Sequence, residues 1–189
     1  LSQFVNQSSG VLVLEDFSRH YLDSSSGLSH SLGYLGKIND TEWQNAKDTY
    51  TLDSTVGKSG LEKTYEQYLR GVNGTQKIVV DAKHTKIDTL FTSAPENGCD
   101  LVTTIDSGLE NKIKDLLQTT IANNGATGGS VIVLNPQNGQ VLSLVSLPGY
   151  DNNIFAQGIR GKEELAEYQK LLDDKNTPFL NRAISGTYP

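Results

Sequence analysis

The stretch VIVLNPQNGQVLSLVSLPGY, residues 131–150, constrains this chain more than any other. Two apolar runs flank NPQNG, and a proline- and glycine-marked turn between such runs specifies a β-hairpin. Both runs are apolar at nearly every position instead of every second one. A hairpin of that kind belongs near the centre of a sheet covered on at least one side.

Three segments carry helical period. In SGLEKTYEQYLRG, residues 59–71, Ser59 and Glu62 have capping-box spacing, and Leu61, Tyr65, Tyr68 and Leu69 share one face. Gly71 supplies the stop, and Glu66 and Arg70 sit four apart on a more exposed face. Ser107 and Glu110 repeat the spacing ahead of a second helix, whose stripe is Leu109, Ile113, Leu116, Leu117 and Ile121. KEELAEYQKLL, residues 162–172, is the third. GVLVLEDFSRHYL reads as a strand followed by a turn, and QKIVVDA, KIDTLF and LVTTID have strand character, the first two of these joined by a turn at Lys83 to Thr85. SSSGLSH reads as a loop, SLGYLGKI as a short strand or turn, and residues 39–56 as irregular with a short helix around Glu42 to Lys47. The expected fold class is α+β: a strand-rich, irregular region over 1–97, then strand, helix, hairpin and helix over 98–189.

The chain has 189 residues, 36% of them apolar, with a mean hydropathy of -0.39, which fits a folded, water-facing protein with a real core. Aliphatic runs such as VLVL and VIVL are too short to span a bilayer. The sequence contains no methionine, so a segment upstream of Leu1 is expected. A net charge of -6 with scattered basic residues argues against nucleic acid or an anionic membrane as the main partner. The single cysteine, Cys99, rules out an internal disulfide and a cysteine-based metal site. Matches to N-x-[ST] at Asn6, Asn39 and Asn73 are frequent by chance.

Candidate chemistry is sparse. GKSG at 57–60 invites a phosphate loop, but that motif needs a glycine at position 52, which is leucine. Lys58-Ser59-Gly60 also resembles the Lys-[Ser/Thr]-Gly triplet of penicillin-interacting serine enzymes, yet it runs into a helix cap instead of along a strand. A glycine turn entering a helix is the simpler reading. His20, His30 and His84 lack metal spacing, and Asp16, Asp53, Asp81, Asp151, Asp173 and Asp174 have no partner pattern. Asp106 fits the turn before a helix, where a carboxylate favours the free amides. No serine has a lysine three residues later, and no Ser-x-Asn occurs. No catalytic, cofactor-binding or metal residue is nominated.

Longer motifs then appear in order along the chain. SRHYL resembles Arg-x-Tyr-Pro, with Leu22 at the proline. Residues 29–36 match A-H-x-x-G-Y-x-G through His30, Gly33, Tyr34 and Gly36. GKSGLEKTYEQYLRG matches a Gly-x-x-Gly-Leu-Glu hallmark segment through Gly57, Gly60, Leu61, Glu62, Tyr65, Leu69 and Gly71. GCDLVTTID resembles G-x-D-L-x-L-T-I-D, with Thr103 for leucine. SLPGYDNN resembles Ser-x-Pro-Ser-Tyr-Asp-Pro-Asn, with Gly149 and Asn152 for serine and proline. NRAISGTYP resembles the run into Pro-Gly-Ser-x-x-Lys.

Collinear and correctly spaced, these resemble a class B penicillin-binding protein, a monofunctional peptidoglycan D,D-transpeptidase. The resemblance implies a pedestal, or dimerisation, region over 1–97 and the opening of an incomplete transpeptidase domain over 98–189. It implies a membrane-anchored protein facing the periplasmic side, with its anchor outside this chain. The implied nucleophile comes three residues beyond Pro189, so the chain alone is expected to be inactive. The implied partners are stem peptides and beta-lactams for the whole protein, other elongation or division membrane proteins, and a second copy in a homodimer. No cofactor or nucleic acid is implied. Glu62 is expected to anchor its own helix cap, and Tyr150 to Asn152 to shape a turn near the catalytic helix.

Overall fold

A computed structural model describes residues 19–22, 27–83, 86–156 and 161–187. The expected strand in GVLVLEDF, Asn6, Asp16, His84 and the last two residues lie outside them.

The fold is mixed α and β, as the residue patterns require. Helix α1 (Ser29–Leu32) occupies part of the stretch read as a loop. Strand β1 (Leu35–Lys37) pairs antiparallel with β2 (Thr55–Gly57), and α2 (Asp40–Asn45) lies between them in sequence. Asn39, which matches a glycosylation pattern, is the N-cap of α2. Its side chain accepts from the Glu42 N–H at 2.8 Å and Glu42 returns the bond at 2.9 Å, a complete capping box.

The helix expected over 59–71 is instead two short ones, α3 (Gly60–Thr64) and α4 (Glu66–Leu69), broken at Tyr65 with φ -108° and ψ 16°. The break turns Glu66 inward, where it accepts from the Tyr50 hydroxyl at 3.0 Å and the Gly57 N–H at 2.8 Å. Arg70 therefore has another contact, 5.1 Å above the Tyr50 ring. Gly60 has φ +58°, and a Cβ there would lie 2.6 Å from the Gly33 nitrogen. Only glycine permits both that conformation and the close approach of α3 to the end of α1. The GKSG segment is thus a structural turn.

Strands β3 (Thr75–Val80) and β4 (Lys86–Ser93) form an antiparallel ribbon with register shifts. LVTTID does not form a strand. It runs beside the hairpin through bonds from the Thr104 hydroxyl to the Val141 carbonyl, 2.6 Å, and from the Asp106 N–H to the Leu142 carbonyl, 2.9 Å.

Helix α5 (Ser107–Asn123) follows, then the expected hairpin of β5 (Gly129–Leu134) and β6 (Val141–Leu147). The cap of α5 is Asp106, whose carboxylate accepts from the Leu109 N–H at 2.9 Å. The Ser107–Glu110 box does not form, because Glu110 is fully buried. It accepts from the Ser143 hydroxyl at 2.5 Å and the Leu144 N–H at 3.0 Å, joining helix to hairpin. Leu116, assigned to the apolar stripe, is 68% exposed. Strand β6 is the covered member of the pair, with Ser143, Val145 and Ser146 at 0% exposure. On β5, Ile132 and Leu134 remain about half exposed. Helices α6 (Asn153–Ala156) and α7 (Lys162–Asp173) close the order.

The principal apolar cluster is aromatic. Tyr150, Ile154 and Phe155 are buried, and Tyr34, Tyr168, Leu171 and Phe179 pack around them. Tyr34 stacks on Phe155 at 4.1 Å, and Tyr150 lies 5.0 Å from Phe179. One residue of this cluster comes from the first forty residues and the others from the last forty, so the centre of the molecule is where the two ends of the chain meet.

Candidate functional site

That meeting place is the candidate site, and it is built for attachment more than for chemistry. Helix α1 and the glycine behind it present backbone carbonyls to the turn after β6. The Ser29 carbonyl already closes α1 by accepting from the Gly33 N–H at 3.0 Å, and a carbonyl has a second lone pair to offer. Asn152, at 0% exposure, supplies donors: its Nδ2 bonds the Ser29 carbonyl at 3.0 Å and also the Gly33 carbonyl. The Tyr150 hydroxyl donates to the Ser29 carbonyl at 3.4 Å, and burial pushes that hydroxyl up to about 12. Asn153 pairs with the backbone of Tyr21 in both directions, each bond 2.9 Å.

His30 is the second tie. Its Nε2 lies 2.7 Å from the Pro178 carbonyl, which can only accept, so Nε2 carries the proton. The Ser29 hydroxyl then faces Nδ1 at 3.4 Å, and the Tyr150 ring stands edge-on at 5.3 Å. Burial holds His30 below the usual histidine range, and the Arg182 charge pushes the same way against the bond to Pro178. The imidazole is therefore neutral in the fold.

Glu62 forms the third tie. Its carboxylate takes the Arg19 guanidinium, Nε to Oε1 at 2.9 Å, and the Tyr21 hydroxyl at 3.3 Å. The expectation that Glu62 caps its own helix is corrected here. The cap serine makes no side-chain bond to the helix, and the buried carboxylate instead holds Arg19 and Tyr21. Burial first, and the Glu62 charge second, raise the Tyr21 hydroxyl.

The closing segment is seated by Arg182. Its N–H donates to the Ser146 hydroxyl at 2.9 Å, and its guanidinium reaches the Asn176 carbonyl at 2.5 Å and Thr177 Oγ1 at 3.1 Å. Tyr150 to Asn152 do shape a turn, as expected from the motif. Ser29, Asn153 and Glu110 were missed. Their partners lie 33 to 132 residues away in sequence, and no local pattern encodes such contacts. Among the described residues, no group of three or more His, Cys, Asp or Glu is placed to hold a metal ion.

The junction joins an N-terminal region with a hairpin-and-helix unit through residues of the motifs on both sides, the architecture of a penicillin-binding protein. The profile described as "Penicillin-binding Protein dimerisation domain" matches residues 1–103, and the chain belongs to this family. Among its relatives is the peptidoglycan D,D-transpeptidase MrdA of Escherichia coli K12, 35% identical over 181 residues that cover 93% of this chain and 27% of that protein. MrdA of Salmonella typhimurium LT2 is 38% identical over 168 residues, 86% of this chain and 25% of that protein. The chain thus spans about a quarter of the length of these curated relatives. The penicillin-binding protein PBP2 of Helicobacter pylori, solved in complex with MreC, superposes with a TM-score of 0.71 at 29% identity, over 91% of this chain and 30% of that one. PBP2 of Pseudomonas aeruginosa, solved with WCK 5153, gives 0.66 at 32% identity, over 92% and 32%.

Proposed function

We propose that these residues are the distal pedestal and the opening of the transpeptidase domain of a longer, membrane-anchored peptidoglycan D,D-transpeptidase, with the boundary near residue 97. Collinearity carries this reading: the similarity to MrdA runs through 181 residues and 93% of this chain. In the longer protein a serine beyond Pro189 attacks the penultimate D-alanine carbonyl of a stem peptide and expels the terminal D-alanine. An amine on a neighbouring strand then resolves the acyl-enzyme, while backbone amides hold the oxyanion. This chain's part is to seat the segment leading to that serine, through Arg182, Ser146 and His30.

Fluorescent penicillin tests the reading. The longer protein is expected to take a covalent label and this chain to take none. Label on this chain, or none on the longer protein, would refute it.

A second reading has its own observation. The β3–β4 ribbon exposes Ile87 at 66%, Leu90 at 70% and Phe91 at 52%. Large apolar side chains left exposed on one ribbon fit an interaction site. Residues 1–97 then serve to bind elongation or division membrane proteins, as the MreC complex of the Helicobacter relative suggests, or a second copy of the chain. Among the described residues no helix is long and apolar enough to cross a membrane.

A further inference from the structure

Two departures from the motifs the chain resembles each meet a third, Ser29, at the junction. Gly149 stands where the turn motif has serine, Asn152 where it has proline, and Ser29 where the A-H-x-x-G-Y motif has alanine. A Cβ on Gly149 would lie 2.7 Å from Ser29 Oγ, closer than non-bonded atoms come. The space a serine at 149 needs is already filled by the hydroxyl of Ser29, which is 1% exposed and lies 3.5 Å from the Tyr150 N–H. Beside it, Asn152 donates to the Ser29 and Gly33 carbonyls. A proline at 152 has no donor to offer them.

We propose that Ser29, Gly149 and Asn152 form an interlock that bolts the pedestal to the turn after β6. The Ser29 hydroxyl fills the space beside Gly149, and the Asn152 amide adds a second donor to the Ser29 carbonyl, which already closes α1 by accepting from the Gly33 N–H at 3.0 Å. The interlock extends the functional reading without depending on it, because every contact lies within this chain.

A swap tests it. Gly149→Ser is expected to lower the Tm by about 4 °C, the scale of a one-to-two kcal/mol loss in a chain this size. Ser29→Ala should cost less, and the double variant Ser29→Ala/Gly149→Ser should recover most of the loss. Additive effects would overturn the interlock. If Gly149→Ser fails to fold, folding of the double variant supports the proposal and its failure to fold overturns it. Asn152→Pro should speed amide exchange over residues 29–37 and leave 107–123 unchanged. Equal acceleration in both regions, or none in either, would overturn the part given to Asn152. Penicillin labelling of the longer protein reports separately on the catalytic reading.

Discussion

The two long hairpins are built alike and used differently. Strands β3–β4 and β5–β6 are both antiparallel pairs, the first with two register shifts and the second with one. Yet Leu90 is 70% exposed while Val145 is fully buried. Strand β6 has α5 across it, the buried Glu110 carboxylate bonded into it, and Arg182 tied to its Ser146. The ribbon has no comparable cover among the described residues. A strand pattern therefore specifies pairing, while the value of each side chain depends on what is laid over it.

The largest expected effect breaks the covered hairpin. Val145→Asp places an unpaired charge at a site with no exposure, which costs more than about 4 kcal/mol. Loss of the cooperative unfolding transition in thermal circular dichroism checks it, and a wild-type Tm would show that β6 is less enclosed than described.

A middle-sized effect comes from His30, which ties the covered end to α1. Its folded pKa lies below the free value of 6.5, because burial and Arg182 disfavour the charged form. The unfolded chain then binds the proton more readily. Stability is undiminished above about pH 6.5 and falls as pH drops from there toward the depressed folded value. Thermal unfolding between pH 7.5 and 5 should show this fall, and His30→Gln, which keeps a donor toward Pro178, should flatten it. Equal slopes in both proteins would remove His30 as the cause.

The smallest effect on stability sharpens the other side of the comparison. Leu90→Asp on the ribbon should change stability by no more than about 0.5 kcal/mol, since the side chain is already in water. The same variant should abolish titration binding to an elongation-type membrane partner if the ribbon is its docking face. Retained binding would move the partner elsewhere.

Much of this was legible from residue order. The β5–β6 hairpin, the ribbon, α7 and most of α5 follow from period and turn residues, and the family follows from motif spacing. Errors gathered where a polar residue had both a local and a distant option. Ser59–Glu62 and Ser107–Glu110 have capping-box spacing, but Glu62 found Arg19 and Tyr21, and Glu110 found Ser143. A buried carboxylate gains more from donors that follow it out of water than from an exposed cap amide. Conversely, Asn39 and Glu42 do form the box on an exposed surface, where Lys58 reaches the same Glu42 carboxylate without displacing the cap bond.

By itself the sequence determined the elements and the family, because hydrophobic period, turn residues and motif spacing act over a few residues at a time. Only the tertiary structure decided which carboxylates are buried, which hairpin is covered, and how Ser29, His30 and Asn152 join the two ends of the chain. Those contacts bridge more than a hundred residues, as from His30 to Pro178 and from Asn152 to Ser29. Their geometry exists only once the chain has brought both ends together.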